Sequence, residues 1–234
     1  MFTLFFVEDL PTSGSYEFSN YDANHAIRVL RMQAGAEFML SDGKGAWSQV
    51  QATEVSKKSM TVQVIESGFQ EPLATTITVI QALPKGDRAK EAIELLTEAG
   101  VDRIVPWASA RSIGKGSDKF AITAREASKQ SRRFRIPEVT EVATTTQICE
   151  AIKVSDLAIA FHESAQGKLS DQISSHNVQN LLIIIGPEGG LTDEELSAFE
   201  QAGAKVALMG RPILRSAHAG IAAVSAVSAL LKVW

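Results

Sequence analysis

Three glycine-marked or polar stretches and one basic stretch carry the residue types that could do chemistry. Gly186-Pro187-Glu188-Gly189-Gly190-Leu191 follows the apolar run Leu181–Ile185. Glycines at the end of such a run form a tight turn and let backbone N–H and C=O groups approach a ligand closely. The spacing is neither G-x-G-x-x-G nor a P-loop, and Glu188 would repel phosphate, so neither a dinucleotide nor a nucleoside triphosphate is indicated. The bland reading is a strand-to-helix turn, since Thr192 and Glu195 have the spacing of a capping box. Leu208-Met209-Gly210-Arg211-Pro212-Ile213-Leu214-Arg215-Ser216 is a second Gly/Pro turn, with two arginines, before a helix of small residues. It could wall the same pocket, or be an ordinary loop with solvated arginines. Phe161-His162-Glu163 ends a third apolar run. The four histidines (25, 162, 176 and 218) have no short-range ligand spacing and Cys149 stands alone, so no zinc site is expected. No G-x-S-x-G is present, which leaves an esterase triad without support.

The basic stretch runs from Arg111 to Arg135, with eight basic and two acidic residues, a local net charge of +6. Within Lys119–Pro137 the small residues Ala121, Ala124 and Ala127 form an inner helix face. Arg125, Lys129, Arg132 and Arg133 project from the other side. This is either a solvated face or a docking surface for a polyanion.

Parallel strands must hold the three loops. Thr76–Ala82, Arg103–Trp107, Leu157–Phe161, Leu181–Ile185 and Lys205–Met209 read as strands. Asp87–Ala99, Lys119–Arg132, Thr145–Ile152, Asp193–Ala202 and Ala217–Leu231 read as helices between and after them. Leu181–Ile185 is apolar on both faces, as a central parallel strand must be. This alternation predicts an α/β parallel sheet, with ligands at the carboxyl ends of its strands. The texture before Gly68 differs. Glu37–Leu40 and Trp47–Glu54 flank the turn Ser41–Gly45, Ser59–Ile65 alternates as a strand, and a short helix is expected over Ala23–Arg31. A small β-barrel over residues 1–70 is the expected product, with Gln70–Thr75 as linker and a second domain over 74–234.

The whole composition fits two such domains. The chain has 234 residues, 45% apolar and 21% charged, enough for substantial cores and unlike a disordered or disulfide-stapled chain. A single cysteine fits a reducing compartment. The start MFTLFFVEDL lacks a basic segment and is interrupted by Glu8 and Asp9, so no signal peptide is expected. No run reaches the length of a membrane span. The net charge of −4 argues against a globally basic nucleic-acid binder and confines any polyanion surface to the local stripe.

Taken together and in order, the three loops resemble the motifs of the bacterial 16S rRNA uridine-N3 methyltransferases, of the SPOUT class of trefoil-knotted enzymes. Phe5-Phe6 and His25…Val29-Leu30-Arg31 resemble that family's N-terminal PUA-like domain. Lys85-Gly86-Asp87-Arg88, Thr97–Val101, Pro106, Arg111-Ser112, Glu126-Ala127, Gln130, Arg133 and Pro137 match its catalytic half. The sequence departs from the family at Thr3 and Leu95. It departs also at Arg215-Ser216-Ala217-His218-Ala219, where a Glu common in the family is absent and His218 is new.

The resemblance implies S-adenosylmethionine as cofactor, a knotted C-terminal domain, 16S rRNA of the small ribosomal subunit as partner, a cytoplasmic setting, a homodimer, and neither metal nor membrane. It implies cofactor contacts from Phe161, His162, Glu163, Gly186, Glu188, Gly189, Gly190, Leu191, Leu208, Met209, Gly210, Ile213 and Leu214. Arg28, Arg31, Lys85, Arg88, Arg111, Arg125, Lys129, Gln130, Arg132 and Arg133 are the expected RNA contacts. Arg133 and Arg215 are candidates for stabilising a uracil anion. The base is Glu188, His162 or a water, and the sequence does not choose. The stripe Ile221, Val224, Val227 and Leu231 is the candidate dimer surface, unless it is buried in the protomer's own core. A different RNA site or atom is one alternative, and a non-catalytic RNA-binding assembly factor is the other.

Overall fold

The computed structural model describes residues 2–114, 116–167, 169–173 and 177–233. Lys115 of the basic stripe and His176 lie outside the described residues. The chain forms two compact units.

The first comprises Met1–Pro72 together with Ser128–Ile136. Its elements are β1 (Leu4–Phe6), β2 (Ser15–Phe18), α1 (Tyr21–Arg28), β3 (Glu37–Ser41), β4 (Ala46–Val55) and β5 (Met60–Phe69). They make one sheet in the order β1-β3-β4-β5-β2, parallel only between β1 and β3. Phe5, Phe18 and Phe38 form its centre, with ring centroids 5.4 to 5.7 Å apart. β1 and β2 are strands of three and four residues, too short for hydrophobic periodicity to reveal; pairing with β3 and β5 makes them. The expected helix over Ala23–Arg31 stops at Arg28, because the N–H groups of Val29 and Leu30 both turn back to the His25 carbonyl and Arg31 takes the left-handed conformation (φ +53°).

Residues 128–136 join this unit through backbone hydrogen bonds to Gly43 and Gly45 and through side chains. Lys129 Nζ lies 2.9 Å from Asp22 Oδ1, with the Asp22 side chain only 3% exposed. Phe134 stacks on Trp47, and Arg135 donates to the Gln70 carbonyl while lying over the Phe69 ring. The unit is therefore discontinuous in sequence, unlike the unbroken 1–70 that composition suggests.

The second unit comprises Leu73–Ala127 and Pro137–Trp234. In order it contains β6 (Thr76–Ala82), α2 (Arg88–Glu98), β7 (Arg103–Trp107), most of α3 (Phe120–Ser131), β8 (Glu138–Val139), α4 (Thr145–Lys153), β9 (Leu157–Phe161), α5 (Leu169–Gln172), β10 (Asn180–Ile185), α6 (Asp193–Ala202), β11 (Lys205–Ala207) and α7 (Ser216–Leu231). The sheet is parallel throughout, in the order β11-β9-β10-β6-β7-β8. Residues of β10 alternate between two cores, which explains its continuous apolar run. Leu181, Ile183 and Ile185 pack with Ile93 and Leu96 of α2 and with Val224 and Val227 of α7. Leu182 and Ile184 pack with Ile148 of α4 and Phe199 of α6.

α7 can lie close on α2 because residue 220 is glycine: a Cβ there would stand 2.7 Å from Leu96 Cδ2. Val224, Val227 and Leu231 are buried in this core and Ile221 packs against it. The apolar stripe read from the sequence is thus used within the protomer.

Candidate functional site

Strands β11, β9 and β10 are neighbours, so the loops that leave their carboxyl ends converge. They enclose a cleft of about 650 Å³, within the size range of small-molecule sites. Its walls are Phe161–Glu163, Ile185–Glu188 with Gly190 and Leu191, Leu208–Ser216, and Arg88 and Ala219 from the two helices behind.

Each loop is held locally. After β9, the His162 N–H bonds the Ala207 carbonyl, which ties this loop to β11. His162 Nδ1 receives the Ser164 N–H at 3.2 Å and lies 2.7 Å from the Ser164 hydroxyl. A backbone N–H can only donate, so Nδ1 is the acceptor and the neutral ring carries its proton on Nε2.

After β10, Gly190 sits at φ +74° and donates to the Pro187 carbonyl, a turn that a side chain would strain. Arg111 Nη1 donates to the Gly189 carbonyl at 2.9 Å and approaches the Leu191 carbonyl at 3.4 Å. Glu195 completes the capping box with Thr192, and its other oxygen accepts from Ala110 N at 2.8 Å. The segment after β7 thus braces the loop after β10 twice. The Arg111 charge also acts on Glu194, whose carboxyl is held below the usual range first by its hydrogen bond to the backbone and then by Thr192. Glu188 accepts from Lys85 N at 3.2 Å, with Arg88 Nη1 3.9 Å away.

After β11, Ile213 is 78% and Leu214 40% exposed, apolar side chains that a flat ligand could cover. The lining offers both charge signs, from Glu163 and Glu188 and from Arg88, Arg211 and Arg215, between apolar walls. No lysine lines it.

The structure brings every expected cofactor residue into this wall except Gly189. Gly189 packs instead on Arg111: a Cβ there would stand 3.3 Å from that side chain. Of the proposed catalytic residues, Arg215 and Glu188 line the cleft, whereas Arg133 belongs to the first unit. The expected RNA contacts divide. Arg28, Arg31, Gln130 and Arg132 are exposed in the first unit, Arg132 at φ +58°. Arg125 and Arg133 are half-buried, and Lys129 is committed to Asp22. Lys85 is exposed, while Arg88 and Arg111 serve the cleft and its loop. His218, the residue new to the family motif, pairs with Glu91 at 3.0 Å. Sequence reasoning placed Ser216 in the loop after the last strand but missed the buried Gln81 behind it. The available signal was an amide inside the otherwise apolar run Val79–Leu83.

Among the described residues, no group of three or more His, Cys, Asp or Glu could hold a metal ion, and no helix is long and apolar enough to cross a membrane.

Residues 71–228 match the description of an RNA methyltransferase domain, and residues 19–65 that of an RNA methyltransferase PUA domain. The chain belongs to the RNA methyltransferase family. The ribosomal RNA small subunit methyltransferase E of Mycobacterium bovis is 32% identical, over 99% of this chain and 93% of its own length. The Bacillus subtilis protein of the same name is 30% identical over 95% and 91%. A crystal structure of that methyltransferase from Neisseria gonorrhoeae, bound to S-adenosyl methionine, is 25% identical and superposes with a TM-score of 0.87 over 98% of both chains. The family assignment accounts for both units: a PUA sheet at the amino terminus and a parallel α/β methyltransferase domain, as the motifs imply.

Proposed function

We propose that this RNA methyltransferase transfers a methyl group from S-adenosylmethionine to N3 of a specific uridine in 16S rRNA of the small ribosomal subunit, in the cytoplasm. The cleft at the ends of β9, β10 and β11 carries the reading. Its residues fit that cofactor by chemistry. Phe161, Leu191, Leu208, Met209, Ile213 and Leu214 suit an adenine ring, Glu163 and Glu188 suit its cationic groups, and Arg88, Arg211 and Arg215 suit its carboxylate. When bound, the cofactor supplies an electrophilic methyl group on a sulfonium sulfur.

Uracil N3 carries a proton and becomes a competent nucleophile as that proton leaves. A guanidinium near the uracil carbonyls favours the anion, by the logic of an oxyanion hole. Arg215, in the cleft wall, is the candidate for this role; Arg133 is a candidate on the family resemblance alone. His162, with Nδ1 accepting, presents Nε2–H as a donor. That favours a water or Glu188 as the base. Glu188 keeps one oxygen toward Lys85 N and Arg88, and the other can accept. A uracil paired through N3 is unreachable, so the target base is unpaired or flipped out. The exposed Arg28, Arg31 and Arg132 are the proposed phosphate contacts; Lys129 is removed from that set by its ion pair. The homodimer reading rests on the family resemblance and on the outer face of α7, where Ala222, Ser225, Ala226 and Ala229 remain accessible.

Nucleoside mass spectrometry and primer extension on small-subunit RNA, from cells lacking and regaining the protein, test this directly. An N3-methyluridine and an extension stop should appear only with the protein. A methylated ribose or another base would move the target atom, and unmodified RNA would leave an RNA-binding factor. Sedimentation at assay concentration reads the dimer; a fully active monomer would exclude it.

A further inference from the structure

Gln81 is the last residue but one of β6 and lies opposite Ile185 of β10 in the parallel register. Its side chain is fully buried on the α7 side of the sheet. Its amide Nε2 donates to the Ala82 carbonyl at 3.1 Å and to Ser216 Oγ at 3.0 Å. The Ser216 hydroxyl, having accepted from Gln81, donates to the Gly186 carbonyl at 2.8 Å. The amide oxygen, Gln81 Oε1, is buried and has no hydrogen-bond partner among the described residues.

This chain of bonds joins two loops at defined points. Gly186 is the first residue of the loop after β10, and Ser216 ends the loop after β11 and begins α7. Both line the cleft. The distance between them sets how far the two walls stand apart at the floor, and Gln81 orients the hydroxyl that spans it.

The orphan oxygen shows what Gln81 is not for. A buried acceptor without a donor is unfavourable, and an apolar side chain of the same shape would avoid it. Packing alone would be served as well by methionine. What methionine cannot do is fix the direction of the Ser216 hydroxyl.

We propose that Gln81 and Ser216 form a positioning relay that sets the width of the cofactor cleft by holding the Gly186 carbonyl. The proposal rests on the reading of this cleft as the S-adenosylmethionine site. Neither residue is a catalytic residue in this scheme; both act through the loop backbone.

The test is calorimetric titration of the full-length protein with S-adenosylmethionine, alongside thermal melting without ligand. Gln81→Met and Ser216→Ala should each weaken binding by about tenfold, the scale of one lost hydrogen bond. In the double variant the loss should be no greater than in the worse single variant, because a broken relay cannot be broken again. Gln81→Met should melt close to wild type, since the loss of two donated hydrogen bonds is offset by removal of the orphan oxygen. Ser216→Thr keeps the hydroxyl and should retain wild-type affinity. Wild-type affinity in either Gln81→Met or Ser216→Ala, additive losses in the double variant, or an equal loss in Ser216→Thr would overturn the relay. A lower melting point for Gln81→Met with unchanged affinity would make Gln81 a packing residue. Failure of the wild type itself to bind would overturn the cofactor reading and the relay with it.

Discussion

The two ends of the six-stranded sheet use the same kinds of residue for opposite purposes. At the amino ends, carboxylates close the backbone. Asp102 Oδ2 accepts from Ile77 N at 2.8 Å, and Asp156 Oδ2 accepts from Gln179 N and Asn180 N at 3.0 and 2.8 Å. Arg103 pairs with Glu138 across β7 and β8. At the carboxyl ends, an arginine and glycines shape the backbone, and carboxylates and guanidinium groups line a cavity. Concavity does not separate the two ends. A groove of about 400 Å³ lies near the amino ends, bordered by Thr78, Arg103, Val154 and Asn180. The bonding of the polar groups separates them: Asp102 and Asp156 cap strand starts, whereas Glu163 and Glu188 face a site whose loops other residues have already fixed. The cleft lies where ligand sites in open α/β sheets are found, outside the carboxyl ends of the strands.

Substitutions at the two ends should therefore separate binding from stability. The largest effect is expected at Gly210. Among the described residues beyond its chain neighbours, a Cβ there meets nothing closer than Pro212 Cδ at 4.0 Å, so a side chain costs space in the cleft rather than packing. Gly210→Val should reduce S-adenosylmethionine affinity by about a hundredfold, the scale of a blocked anchor contact, with little change in melting temperature. Titration calorimetry and a thermal melt decide it, and unchanged affinity would put the ligand elsewhere. Gly189 is the poorer probe, since its substitution presses on Arg111.

A middle-sized effect is expected at Arg111, which holds the loop without lining the cleft. Arg111→Ala removes a charged donor from the Gly189 carbonyl and should weaken cofactor binding by about tenfold. The same variant should melt only slightly lower, because the side chain is exposed. A tenfold loss of RNA affinity with unchanged cofactor binding would instead return Arg111 to the RNA contacts.

The smallest effect is expected at the amino end. Backbone N–H groups of Asn180 and then Gln179 hold the Asp156 carboxyl below the usual carboxylate range. A depressed folded-state pKa gives stability that is present above the ordinary value, near 4, and is lost as pH falls through the folded value. Asp156→Asn should therefore lower the urea midpoint near neutral pH, and the gap from wild type should close as pH falls below 4. Cofactor affinity at neutral pH should not move. A gap that persists at low pH would mean that shape, rather than charge, matters at this strand start.

Much of the second unit is legible in its sequence because its signals are local. β6, β7 and β9 take the boundaries that their apolar runs suggest, and α6 those that its capping box and Gly203 suggest. Gly186, Gly190 and Gly210 mark the cleft in the sequence itself. The first unit is less legible. β1 and β2 are short, and its last piece arrives from residues 128–136. Those residues carry the basic charge that reads as an RNA surface, yet Lys129 is spent on Asp22 and Arg135 on the Gln70 carbonyl.

By itself, the sequence determined the parallel sheet, its central strand and the three loops at strand ends, because hydrophobic period and turn residues act over a few neighbours. The tertiary structure alone decided which charges are free. Asp22 and Lys129 are 107 positions apart, and Gln81 and Ser216 are 135. A charge or an amide takes whichever partner the fold brings within about 3 Å, and no local pattern records a partner that far along the chain.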